Sequence, residues 1–224
     1  MSRVQETFAE LCREVGNIAR NCGRHAEDIK ILAVSKTVPV EVMNELYACG
    51  VREFGENREP ELAMKAAAMP DDIKWHFIGP LQANKIRKVV KNASVIHSVA
   101  SMAHIERLER IAGEEGKAPE ILLEVNVSGE ASKGGFTPEE LLPAAAAAAK
   151  CENIRWSGFM TMAPLDASSE ELTAIFSKLR ELRDICEKET GKKLETLSMG
   201  MSGDFPEAIA CGATVIRVGS RIFK

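Results

Sequence analysis

Several things are scarce in this chain, and each scarcity narrows its chemistry. Its six cysteines (Cys12, Cys22, Cys49, Cys151, Cys186 and Cys211) never stand as a C-x-x-C pair, so neither a disulfide framework nor a zinc site is expected, and reduced thiols in a cytoplasmic protein are. There is no Walker lysine motif and no G-x-G-x-x-G, which removes the usual support for a nucleotide cofactor. There is no excess of basic residues: 29 Lys and Arg stand against 33 Asp and Glu, a formal charge of −4 that argues against general affinity for nucleic-acid phosphates. The one local exception, Lys85, Arg87, Lys88 and Lys91, reads as a solvated helix face. No apolar run approaches membrane-spanning length, and the amino terminus, with Val4, Phe8, Leu11, Val15 and Ile18 at helical spacing, reads as an amphipathic helix and not a signal peptide. A single tyrosine, Tyr47, is present.

The 224 residues, 45% hydrophobic and 28% charged, suit one sizeable domain over residues 1–224. Short β-branched and apolar runs recur at Ile29 to Val34, Val51 to Phe54, Lys74 to Ile78, Ser94 to Ser98, Glu120 to Val127, Ile154 to Met160, Leu194 to Met199 and Thr214 to Val218. Segments with helical spacing separate them, such as Leu172, Ile175, Phe176, Leu179, Leu182 and Ile185. The alanine run Ala144 to Ala149 reads as a close-packed helix. Alternation of this kind implies parallel strands with helical crossovers, and eight units favour a closed (β/α)8 barrel of the α/β class over an open sheet. The first helix precedes the first strand, so it must pack outside the ring or close its bottom.

In such a barrel the chemistry lies where strands end. Lys36 follows the run Ile31, Leu32, Ala33, Val34 and precedes Thr37 and Pro39, where apolar surroundings would desolvate it, lower its pKa and free a neutral amine to attack a carbonyl. Glu56 and Asn57 follow the second strand, Asn126 the fifth with Ser132, Lys133 and two glycines beyond it, and Met160 and Thr161 the sixth. The seventh and eighth ends are the richest: Ser198 to Asp204 reads SMGMSGD, and Arg217 to Ser220 reads RVGS. Gly200 and Gly203 permit close backbone approach, Ser202 offers a hydroxyl, and Asp204 with Glu207 has capping-box spacing at the start of a short helix; Gly219 and Ser220 repeat the arrangement. Two such loops form an anion cup of the kind that binds phosphate after strands seven and eight. A nucleophilic lysine across from a phosphate cup describes a site for a phosphorylated aldehyde, with pyridoxal 5′-phosphate (PLP) the leading ligand.

Five segments then carry a resemblance: AVSKT around Lys36, FGEN from Phe54 to Asn57, WHFIGPLQANK from Trp75 to Lys85, SMGMSGD from Ser198 to Asp204, and IRVGSRIF from Ile216 to Phe223. In this order they resemble the PLP homeostasis proteins, the YggS or PROSC family of PLP-binding proteins, which share the barrel of the alanine racemase N-terminal domain. The resemblance implies that Lys36 holds the cofactor as a Schiff base, that Ser202, Gly219 and Ser220 bind its phosphate, that Arg217 faces the pyridine nitrogen, and that Asn57, His76 and Met160 lie close around it. Read singly, His76 is a hydrogen-bonded core histidine and Met160 a packing residue. Ser220 stands where such proteins usually have threonine, and Phe223 and Lys224 stand where a terminal glycine is expected.

An arginine against the pyridine nitrogen disfavours its protonation and weakens the ring as an electron sink. A racemase also needs a second positioned base, and Tyr47 by its spacing belongs to the helix after the first strand. The expectation is therefore a cytoplasmic, monomeric protein that carries or buffers PLP without efficient catalysis, with no catalytic residues, no metal, no nucleic acid and no membrane. PLP-dependent apoenzymes are its implied transient partners. A PLP-dependent amino-acid racemase is the alternative, and a class I aldolase acting directly on a sugar phosphate is a third reading.

Overall fold

The computed structural model describes residues 1–130 and 133–224, so the expectation at Ser132 lies outside the described residues. Eight parallel strands, β1 (Lys30–Val34), β2 (Glu53–Glu56), β3 (Lys74–Phe77), β4 (Val95–Val99), β5 (Glu120–Glu124), β6 (Arg155–Met160), β7 (Thr196–Ser198) and β8 (Val215–Val218), pair in chain order, and β8 closes on β1. Helices α1 (Arg3–Asn21), α2 (Val40–Ala48), α3 (Glu59–Ala68), α4 (Ile86–Asn92), α5 (Met102–Glu115), α6 (Pro138–Ala148), α7 (Ser169–Thr190), α8 (Phe205–Ala210) and α9 (Ser220–Phe223) surround the ring. The closed (β/α)8 barrel expected from the alternation is the fold observed.

Local sequence accounts for the elements. In α7, Leu172, Phe176, Leu179, Leu182 and Cys186 fall at helical spacing and are buried, each large side chain contributing about 1.5–3 kcal/mol. The helix starts where the Ser168 hydroxyl accepts from the Glu171 N–H in a capping box, and stops at Gly191 in the left-handed region. Replacing Ser168 by alanine would cost about 1 kcal/mol. Thr137 caps α6 in the same way, and the alanine run lies in that helix as expected. The leading helix α1 packs outside the ring against α2, α8 and α9 through Leu11, Val15 and Ala19.

Each strand buries two unlike faces. Outward residues such as Phe54, Ile96, Leu123, Phe159 and Ile216 join the helices in one apolar core. Inward residues are mixed: Glu53, His76, His97, Ser198 and Arg217 meet inside the ring, beside the buried apolar side chains of Leu32, Val95, Leu122 and Val215, which stand outside the outer core. Barrel interiors are usually filled by branched apolar side chains, so the polar part of this one departs from the common pattern.

Two expected strand bounds need correction, and the cysteines prove mostly peripheral. The second strand starts at Glu53 because Val51 is still tied to the end of α2, its N–H bonded to the Leu46 carbonyl. The fifth strand stops at Glu124: Val125 still donates its N–H to the Met160 carbonyl at 2.8 Å, but it bridges Phe136 and the ladder ends there. Of the six free cysteines only Cys186 and Cys211 are buried; Cys12, Cys22 and Cys49 are exposed, so most are not core residues. The basic cluster is the solvated, ion-paired helix face expected, with Arg87 and Lys91 on Glu114 and Glu115 and with Lys85 and Lys88 near Glu59.

Candidate functional site

The turn after β1 is held from behind. The Ser35 N–H donates to the Gly55 carbonyl at 3.0 Å, and its own carbonyl accepts the Val38 N–H at 2.9 Å and the Lys65 ammonium at 2.7 Å. Lys65 also pairs with Glu56 at 2.7 Å, and the Ser35 hydroxyl donates to the same carboxylate oxygen at 2.6 Å. Glu56 and Lys65 are both fully buried, a charge pair that is destabilising to break. On this base stands Thr37, with φ of 64°, the one non-glycine residue in the left-handed region among those described. A β-branched residue held there stores about 1–3 kcal/mol of strain, of the kind that collects at functional turns.

The strained turn lifts Lys36 out of the wall. Lys36 is exposed, and its ammonium makes no hydrogen bond or ion pair among the described residues. The desolvation expected at this strand end is therefore absent: the residue that enters the apolar wall is Val34, and Lys36 projects past it into the barrel mouth.

Across the mouth the ends of β7 and β8 make the cup. The Ser220 hydroxyl donates to the Ser202 hydroxyl at 2.9 Å, so two oxygens face one spot. Gly219 is fixed there by crowding, since a Cβ on it would meet the Val34 carbonyl at 2.8 Å. The expected capping box is not formed. Asp204 turns back to accept the Met201 N–H and leaves its helix uncapped, while Glu207 accepts from Ser169 at 3.0 Å. The carboxylate thus tightens the loop that carries Ser202.

Arg217 forms the floor between the turn and the cup. Its Nη1 donates to the Ser198 carbonyl and hydroxyl, both at 2.8 Å, and its Nη2 to the Thr161 carbonyl at 2.9 Å. Burial lowers its pKa to about 10, partly offset by Asp204 and Glu124, and Nε–H and one Nη2 hydrogen have no partner among the described residues. Burial likewise raises the Glu124 carboxyl.

Lys36, Asn57, Ser202, Arg217, Gly219 and Ser220 all line one cavity of about 760 Å³. Asn57 is placed by Gly79, where a Cβ would sit 2.0 Å from the Asn57 carbonyl. Val38, Pro39, Val42, Ile78, Met162 and Leu165 supply an apolar wall for a flat ring. His76 and Met160 are not on this wall. Both are buried, His76 with its two ring nitrogens engaged by Glu53 and His97 at 2.9 Å each. A second cavity of about 650 Å³ lies at the opposite end, around the starts of β3 to β6, away from Lys36.

Sequence reasoning passed over Thr37, the Ser35–Glu56–Lys65 cluster and His97. Only His97 carried a readable signal, an imidazole at an alternating position within the apolar strand VIHSV.

The donor set fits a phosphorylated aromatic aldehyde: two hydroxyls and close backbone for the phosphate, an arginine for a ring nitrogen, an amine for the aldehyde, an apolar wall for the ring. Comparison with known proteins points the same way. Residues 15–224 match the family described as alanine racemase, N-terminal domain. The pyridoxal phosphate homeostasis protein of Aquifex aeolicus is 39% identical over 224 residues, covering 100% of this chain and 95% of the relative. The structure of PipY from Synechococcus elongatus without PLP has 37% identity and a TM-score of 0.91 over 99% of this chain and 100% of that one. The same protein with PLP bound has 36% identity and a TM-score of 0.87, with the same coverage.

Proposed function

The chain belongs to the alanine racemase N-terminal domain family, and from that membership and the cavity at the barrel mouth we propose that it is a PLP-binding protein of vitamin B6 homeostasis, which carries or buffers PLP without efficient catalysis. The observation that carries this reading is the convergence of Lys36, Arg217 and the Ser202–Ser220 pair on one cavity. When bound, PLP supplies an aldehyde with which a lysine amine condenses, releasing water. Lys36 is the amine in reach. Ser202, Ser220 and the backbone at Gly219 hold the phosphate, Asn57 borders the ring, and Arg217 directs an N–H at the ring nitrogen and so keeps a proton off it. His76 and Met160 act from beneath, through the residues they pack against.

The residues described around the cavity favour binding over racemisation. Proton removal and return require two bases on opposite faces. Besides Lys36, the titratable residues lining the cavity are Asp204, Arg217 and Lys224, and Asp204 is committed to the Met201 N–H. Tyr47 is elsewhere, its hydroxyl on Asp72 at 2.9 Å and its ring under Arg52. We assign the binding unit to residues 1–224, acting as a monomer in the cytoplasm, with PLP-dependent apoenzymes as transient recipients. No helix among the described residues is long and apolar enough to cross a membrane.

The test is the visible absorption spectrum of the purified protein with PLP, followed by exchange of the α-hydrogen of L- and D-amino acids in deuterated buffer. A visible band with no more than a trace of exchange is expected. Absence of the band removes the binding reading, and turnover in the ordinary enzymatic range of about 1–10³ per second makes the protein a racemase-type enzyme.

A further inference from the structure

Beneath Arg217, side chains from five strands form one unbroken hydrogen-bonded row. Arg217 Nη1 meets Ser198 Oγ at 2.8 Å, Ser198 Oγ meets His97 Nδ1 at 2.9 Å, His97 Nε2 meets His76 Nδ1 at 2.9 Å, and His76 Nε2 meets Glu53 Oε2 at 2.9 Å. The row crosses the ring, since β4 and β7 lie on opposite sides of it. Glu53 is anchored at the far end by Lys30 at 2.8 Å.

The ends of the row set the direction of its outer bonds, and neutral imidazoles set the rest. A guanidinium can only donate and an ionised carboxylate can only accept. Burial would raise the Glu53 carboxyl, but hydrogen bonds from His76 and Lys30 outweigh it and hold it at about 2, so it is ionised. Burial lowers the pKa of both imidazoles, most strongly that of His97, which favours their neutral forms. His76 must then give its Nε2 proton to Glu53, His97 its Nε2 proton to His76, and Ser198 its hydroxyl proton to His97. The Ser198 oxygen is left free to accept from Arg217. With both imidazoles neutral, this one arrangement of protons satisfies all four bonds.

Such a row is an expensive way to fill a barrel, because buried polar groups are tolerated only when fully partnered and apolar side chains would pack there at lower cost. Its one distinctive product is an acceptor for a buried arginine that has no carboxylate within ion-pairing distance among the described residues. The carboxylates that partly offset its burial, Asp204 and Glu124, stand beyond ion-pairing distance, and Glu53 at the other end of the row is paired with Lys30. A carboxylate directly on Arg217 would neutralise it and repel a phosphate in the cup.

We propose that Ser198 and His97, backed by His76 and Glu53, are positioning residues that hold Arg217 as an oriented, charged donor toward the ring nitrogen of the bound cofactor. The proposal rests on the PLP-binding reading for its last element only. Its test has two arms. In PLP-free protein, long-range ¹⁵N–¹H correlation of the imidazoles is expected to show His76 and His97 neutral, protonated at Nε2 and bare at Nδ1; an Nδ1–H tautomer or an imidazolium at neutral pH overturns the row. In PLP-loaded protein, Ser198→Ala and His97→Leu are expected to move the pyridine ¹⁵N resonance and the visible band and to weaken PLP binding by about tenfold, with Ser198→Thr retaining the wild-type values. Unchanged resonance and affinity in Ser198→Ala overturn the positioning role, and this variant decides the matter if His97→Leu fails to fold, as its thermal melt will tell. If wild-type protein shows no PLP band, the binding reading fails while the tautomer arm still reports on the row.

Discussion

The barrel mouth and the barrel interior treat polar groups in opposite ways. At the mouth, among the described residues, Lys36 is exposed without a partner, Ser220 is exposed, and Arg217 keeps hydrogens unused. Directly beneath, Glu53, His76, His97 and Ser198 are joined end to end, and behind the wall, against α3, Ser35, Glu56 and Lys65 lock together at 2.6–2.7 Å through one carboxylate oxygen, the other being buried without a partner. The contrast separates two tasks. Groups that meet a ligand must be left unsatisfied by the protein, and an unsatisfied group stays in one orientation only if what lies behind it is satisfied and close-packed. The strained Thr37 turn stands at the boundary, pinned below by Lys65 and carrying Lys36 above.

The contrast can be broken most completely at its upper side. Lys36→Ala is expected to abolish covalent retention of PLP: borohydride reduction and peptide mass mapping should find the adduct on Lys36 in the wild type and none in the variant. An adduct on Lys85 or Lys133 would mean that another amine reaches the mouth. Lys133 is the main rival, on the loop after β5, with its ammonium 3.9 Å from Glu130.

The lower side is broken by Lys65→Met, which strands the buried Glu56 carboxylate. Losing one partner of a fully buried pair costs about 3–5 kcal/mol, read from urea unfolding. Glu56→Gln added to that variant should recover part of the loss, because the uncompensated charge is then gone. A change smaller than about 1 kcal/mol from Lys65→Met would show that the interior is not the rigid base described.

A weaker effect sharpens the comparison at the cup. Ser202→Ala combined with Ser220→Ala should cost about 1.5–3 kcal/mol of PLP affinity for each charged hydrogen bond lost, measured by titration. Pyridoxal, which lacks the phosphate, should bind poorly to the wild type and be unaffected by the variant. Equal binding of PLP and pyridoxal would remove the phosphate assignment.

The smallest effect is a pH dependence to which the interior contributes. His76 and His97 are held below the ordinary 6.5, so the unfolded chain takes up protons that the folded one refuses, and stability falls as pH drops below 6.5. Glu53, lowered from 4.5 to about 2, adds stability that is present above 4.5 and is lost as pH falls toward about 2. Urea midpoints across pH should show the first decline in the wild type, and His97→Gln should flatten it. An unchanged slope would mean that His97 is not the group held neutral.

Much of the fold was legible because its signals are local. The run Ile154 to Met160 contains its strand whatever surrounds it, and Ser168, Glu171 and Gly191 mark both ends of α7 within a few residues of chain. The residues later found around the mouth cavity were legible for a related reason: they sit immediately after strand ends, and in a parallel barrel every strand ends on the same side. Lys36, Asn57, Ser202, Gly219 and Ser220 are placed there by topology alone.

Direction and partnership were not legible. Asp204 has the spacing of a cap, yet its carboxylate turns back to Met201, a choice between two nearby N–H groups that spacing cannot decide. Lys36 follows an apolar run, yet the left-handed Thr37 turns it outward. His97 and Ser198 are 101 residues apart and become neighbours only when the ring closes.

The sequence by itself determined which segments form strands and helices, that the strands run parallel, and which residues stand at their ends, because periodicity, caps and turn residues act over a few positions. Only the tertiary structure decided which polar groups are satisfied and which are left open. That outcome depends on distances across a closed barrel, where one hydroxyl turned toward an imidazole frees its oxygen for an arginine, and no property of the separate strands contains it.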